Sequence, residues 1–135
     1  MQNFEFVAKT SLVLASLLVF EIASSSNLGE NVSGVYKGEI PGGGGRIYPG
    51  VTEFTQDSDG KIKGRYTVEA GDTIVTGELY RCTEKLETRR VICRWNDKYG
   101  AGVVDLLFSK EFNSFSGLSN NDSYPDNKDP WNGER

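Results

Sequence analysis

Histidine is absent from this chain of 135 residues. Imidazole is the side chain that most often moves protons near neutral pH and most often binds transition metals, so many enzyme classes fall with it. Positive charge is not in excess either: 15 Lys and Arg stand against 19 Asp and Glu, a formal net charge of −4. No global positive field therefore exists to recruit nucleic acid or an anionic membrane, and no nucleic-acid partner is expected. Cysteine is limited to Cys82 and Cys93, and with no histidine and no third cysteine they do not make a metal site. No G-x-S-x-G motif occurs to present a serine nucleophile, so neither a metal nor a cofactor is expected. Long apolar runs are missing too. The longest, Ser11 to Phe20, is closed by Glu21, well short of the ~20 apolar residues that a membrane span needs.

What the N-terminus does contain has the order of a secretory signal. Met1 to Lys9 carry the terminal amine and Lys9 against Glu5, the apolar run follows, and the small residues Ala23, Ser24, Ser25 and Ser26 come next. A positive end, a short apolar stretch and a small-residue exit predict a signal peptide over residues 1–25 that enters as a helix and is cleaved after Ser25 or Ser26. A flexible stretch, 26–32, then leads into one domain over 33–135. The expected location is secreted or periplasmic, where an even cysteine count usually means pairing.

From Ser33 onward short runs rich in β-branched and aromatic residues are punctuated by glycine and Asn/Asp turns, with no helical period. The reading is all-β, with strands near Ser33–Ile40, Val51–Gln56, Lys61–Val68, Thr73–Cys82, Thr88–Trp95, Ala101–Ser109, Ser114–Leu118 and Trp131–Arg135. Hairpin-sized gaps favour a meander in which each strand pairs with the next. Strand side chains alternate between faces, which sets Ile62, Tyr66 and Val68 against Lys63, Arg65 and Thr67, and Val104, Leu106 and Phe108 against Val103, Asp105 and Leu107. About eight strands with one apolar face remove their edges by closing into an antiparallel barrel, with an open sandwich as the other solution.

Cys82 and Cys93 fall on successive strands, opposite one another if the hairpin centres between Glu87 and Thr88, and that geometry permits a cross-strand disulfide. Asp57-Ser58-Asp59-Gly60 reads as a glycine-closed turn rather than a calcium loop, because the third acidic position and distal glutamate of an EF-hand are missing. Gly42 to Gly45 read as a flexible loop, since no Lys-Ser/Thr pair follows to make a phosphate cradle. Glu39, Glu53, Glu78 and Asp105 are the strand carboxylates, and their alternation with apolar neighbours places them outward. Two N-x-S sequons, at Asn31 and Asn121, matter only in a eukaryotic secretory pathway.

Three motifs carry a resemblance. The stretch Trp95-Asn96-Asp97-Lys98-Tyr99-Gly100-Ala101-Gly102 fits W-x-D-x-x-G-x-G, Phe115-Ser116-Gly117 opens F-x-G-x-W with Ser119 in place of the tryptophan, and Trp131-Asn132-Gly133-Glu134-Arg135 fits W-x-G-x-R. The pattern resembles that of uncharacterised bacterial secreted proteins with avidin-like or lipocalin-like meander barrels. That likeness implies the fold and an exported setting. It transfers no ligand, and with only Trp95 and Trp131 available biotin binding is not implied.

The function expected is a non-catalytic binding module for a small ligand or a protein partner. Aromatic candidates for contact are Tyr36, Tyr48, Tyr66, Tyr99 and Trp131. Arg89, Arg90 and Arg94 form a local basic group for an anion or a partner, to which the acidic segment Asn120 to Asp129 could be complementary. Two other classes remain. One is an inhibitor acting through flexible loops, and the other an enzyme using paired carboxylates ~5–10 Å apart.

Overall fold

The computed structural model describes residues 28–135, and the segment read as a signal peptide lies outside them. A single helical turn, α1 (Leu28–Val32), precedes eight antiparallel strands: β1 (Gly34–Pro41), β2 (Ile47–Gln56), β3 (Ile62–Ala70), β4 (Thr73–Lys85), β5 (Arg90–Asp97), β6 (Gly100–Phe108), β7 (Ser114–Asn121) and β8 (Tyr124–Glu134). Each strand pairs with the next and β8 returns to β1, closing a meander barrel. The alternation read from the sequence is the one that builds it. Ile62, Tyr66, Val68, Val104, Leu106 and Phe108 are buried, while Lys63, Arg65 and Leu107 face out.

The two ends of the barrel differ. At the end where β1 begins, Tyr36, Phe54, Phe108 and Phe115 pack edge to face or tilted with ring centroids 5.2–6.2 Å apart. Such pairs add about 0.5–1.5 kcal/mol each beyond simple burial. Helix α1 closes this end, with Leu28 and Val32 buried and the Tyr36 hydroxyl donating to the Val32 carbonyl at 2.8 Å. Arg135 fastens the closure: its guanidinium donates to the Ser33 and Asn31 carbonyls at 2.8 and 3.0 Å and lies 5.2 Å from the centre of the Tyr36 ring.

Three expectations are corrected. The stretch 26–32, read as flexible, contains α1 from Leu28 on. Two apolar residues four apart, Leu28 and Val32, fall on one face of a helical turn and are drawn into the barrel end. β8 starts at Tyr124 rather than Trp131, so the acidic segment is half of a β7–β8 hairpin turning at Asp122 and Ser123. Its Asn, Asp and Pro residues are turn formers, and pairing with β7 overrides that propensity. The disulfide expected between Cys82 and Cys93 is formed, with Cα atoms 4.1 Å apart, but the two are not simple cross-strand partners. Tyr80 pairs with Arg94 and Thr83 with Ile92, so Arg81 and Cys82 together oppose Cys93 in a bulge, and Arg81 takes a left-handed φ of 49°.

Elsewhere the local readings have clear counterparts. The Asp57 carboxylate accepts from the backbone N–H groups of Asp59 and Lys61, both at 2.9 Å, and Gly60 sits at φ 81°, as a glycine-closed turn requires. Gly43 to Gly45 form a short 3-10 turn between β1 and β2.

Candidate functional site

The opposite end of the barrel is open because its last seam is only partly closed. β1 and β8 pair over three positions, Lys37 to Glu39 against Glu134 to Asn132, and the Glu39 N–H donating to Asn132 Oδ1 at 3.1 Å lies at the last of them. Beyond it Ile40 and Pro41 part from the stretch Trp131 back to Tyr124, which pairs on the β7 side alone. Pro41 and Pro130 stand at the parting, and neither has an N–H with which to extend a ladder. The parted strands and the loops at this end surround a cavity of about 770 Å3. That volume lies within the ~300–1,000 Å3 typical of small-molecule sites.

Aromatic side chains wall the cavity. Trp131 on β8 and Tyr66 on β3 are nearly fully buried and stand edge to face, with centroids 4.8 Å apart. Trp95 on β5, Tyr99 in the β5–β6 turn and Tyr124 at the start of β8 complete the wall. Close backbone approach makes room for two of them: a Cβ on Gly102 would lie 2.7 Å from Trp95 Nε1, and one on Gly77 would lie 2.2 Å from the Tyr66 hydroxyl. Glycine is the only residue that fits beneath these rings.

The polar ends of the buried wall are already engaged within the protein. Trp131 Nε1–H donates to Thr52 Oγ1 at 3.0 Å, and Trp95 Nε1–H to the Asn120 carbonyl at 2.9 Å. The Tyr66 hydroxyl donates to Asp97 Oδ2 at 2.8 Å, while Asp97 Oδ1 accepts from the Tyr99 backbone N–H at 2.8 Å. Burial, reinforced by the charge and hydrogen bond of Asp97, pushes the Tyr66 hydroxyl far above the ordinary tyrosine range. With Trp131 and Tyr66 buried, the ring surface open to a ligand is that of Trp95, Tyr99 and Tyr124, and beside it stand carboxylates. Asp97, Asp126 and Asp129 line the cavity against a single cationic side chain, Lys128, with Ser119, Asn120, Asn121 and Asn127 between them.

Of the aromatic candidates named from the sequence, Tyr66, Tyr99 and Trp131 meet at this cavity. Tyr36 does not: it is fully buried in the closed half, where α1 and Arg135 cover it. Nor does Tyr48, whose ring lies against Gly42 and packs on the core from outside the cavity lining. The arginines are used in the structure. Arg90 pairs with Asp105 at 3.1 Å, Arg89 Nε–H donates to the Phe108 carbonyl at 3.2 Å, and Arg94 makes a two-pronged pair with Asp122. The Arg94 hydrogen bonds hold the Asp122 carboxyl below its usual range. The basic group is thus complemented from within, in part by the acidic segment of β8's hairpin.

No family model, curated protein or solved structure matches the chain. The site therefore rests on its own geometry.

Sequence reasoning passed over Trp95 and Tyr124 in the wall and, beside the tryptophans, two carboxylates, Asp97 and Asp129. The carboxylates were legible by extending the period of two: Asp97 follows Trp95 by two residues on β5, and Asp129 precedes Trp131 by two on β8, so each carboxylate shares the inner face with a tryptophan. The outward carboxylates Glu39 and Glu78 are exposed, and Glu53, Arg65 and Glu78 form a cross-strand row outside the barrel.

Proposed function

We propose that this chain is a non-catalytic, exported binding module that holds a small ligand at the open mouth of its barrel. One observation carries the reading: the barrel is packed solid with aromatic rings at the end closed by α1, and hollow and aromatic-walled at the other. The exposed part of the Trp95 ring is held by its hydrogen bond to the Asn120 carbonyl, and a ligand meeting a pre-formed surface loses little affinity to ordering the site. Export is supported by the disulfide, a bond that persists in oxidising compartments. Among the described residues no helix is long and apolar enough to cross a membrane. The likeness of the tryptophan–glycine motifs to those of secreted bacterial barrels supports the same reading.

The chain carries its own reporter for the test, because both of its tryptophans, Trp95 and Trp131, line the cavity. Native mass spectrometry of protein purified from its host should show oxidised chain with added small-molecule mass. Tryptophan emission should then shift when the stripped protein is titrated with the released compound. Protein that carries no added mass, and whose emission is unmoved by panels of apolar, polyol, anionic and cationic compounds, would overturn the proposal.

A further inference from the structure

We infer that the mouth site takes a small organic cation, a compound with an ammonium head group. This rests on the reading of the cavity as a ligand site and names the chemistry that would fill it. Two inner-face pairs define it, Trp95 with Asp97 and Trp131 with Asp129, each placed side by side by the period of a strand. They enter the cavity from different strands, β5 and β8.

Three features favour a cation over an anion or a neutral compound. Ring faces attract positive charge through their quadrupole, and the rings with surface open at the mouth are Trp95 and Tyr124, together with Tyr99, which already holds Lys98 Nζ 5.2 Å from its ring centre. The N–H and O–H groups that would let Trp95, Trp131 and Tyr66 bind an acceptor are spent on Asn120, Thr52 and Asp97. Finally, an anion would face three carboxylates with one ammonium, Lys128, to offset them. Asp97 is fixed by two hydrogen bonds from its own protein, and a carboxylate has about four acceptor positions, so it keeps capacity for a ligand N–H or for a charge held nearby.

The test uses the full oxidised protein and tryptophan emission, with choline, its neutral carbon isostere dimethylbutanol, and acetate as probes. Choline should bind at least about tenfold more tightly than dimethylbutanol, since shape is shared and only the charge differs. Asp129→Asn should remove most of that preference, and an unchanged circular dichroism spectrum and urea midpoint show that the variant is folded. Binding of free choline, of phosphatidylcholine vesicles or of both supports the inference and tells a soluble ligand from a lipid head group. Equal or tighter binding of dimethylbutanol or acetate would overturn the cation while leaving the mouth as a ligand site. Emission unmoved by choline, with a neutral or anionic compound retained from the host, would do the same. No response to any probe and no retained mass would overturn both readings together.

Discussion

Trp131 is held from two sides, by the edge-to-face contact with Tyr66 and by the hydrogen bond from its Nε1 to Thr52 Oγ1, a hydroxyl that is itself buried. Replacing the indole by a phenyl ring leaves that hydroxyl in an apolar setting with no donor. Trp131→Phe should therefore cost about 1–3 kcal/mol, and adding Thr52→Val should recover much of the loss, because removing both partners removes the desolvation cost. Urea denaturation of the wild type, both single variants and the double variant measures this coupling directly. A double variant no more stable than Trp131→Phe would show that packing, not the hydrogen bond, holds the ring. The same residue shows how the site could be read early. Trp131 was visible as a strand aromatic, but its neighbour Asp129 lay in a segment whose Pro, Asn and Asp residues read as loop, so the shared face went unseen.

Among the elements, the β4–β5 hairpin is the one tied covalently, by a bond spanning 11 residues of sequence. On the chain-entropy model a loop of this length contributes about 3 kcal/mol by restricting the unfolded chain. Cys82→Ala with Cys93→Ala, or reduction of the wild type, should lower the urea midpoint by a corresponding amount, since the hairpin and the barrel seams on either side of it remain. A midpoint unchanged by reductant, with free thiols confirmed by labelling, would show that the bridge adds nothing to equilibrium stability. The pairing was legible because hairpins bring near neighbours together. The bulge at Arg81 was not, because one extra residue in a strand follows from how β4 must bend around the barrel rather than from local propensity.

At the scale of the whole molecule, stability depends on pH through two buried tyrosines. Burial raises the pKa of Tyr66, with Asp97 adding to the effect, and burial likewise raises that of Tyr36 against the opposing charge of Arg135. In the unfolded chain a tyrosine releases its proton at about pH 10. The folded barrel keeps those protons to higher pH and so binds more of them than the unfolded chain does. Their contribution is thus fully present below pH ~10 and is lost as the pH rises above it, by up to about 1.4 kcal/mol per unit for each. Urea midpoints should hold steady from pH 7 to 9 and fall above ~10, and Tyr66→Phe should flatten the fall. An equally steep fall in that variant would place the effect elsewhere. The fold class was legible from the sequence because alternation with period two and glycine-marked turns act over a few residues, and the inner-face Val, Leu and Phe positions of β3 and β6 follow from it alone. Which rings fill the barrel and which wall a cavity depended on the tertiary structure. That division is set by α1 and Arg135 closing one end over Tyr36, and by β1 and β8, the first and last strands of the barrel, pairing at only three positions before they part. Contacts between the two ends of a chain leave no local periodic trace, so a tyrosine in the plug and a tyrosine in the site look alike until the barrel closes.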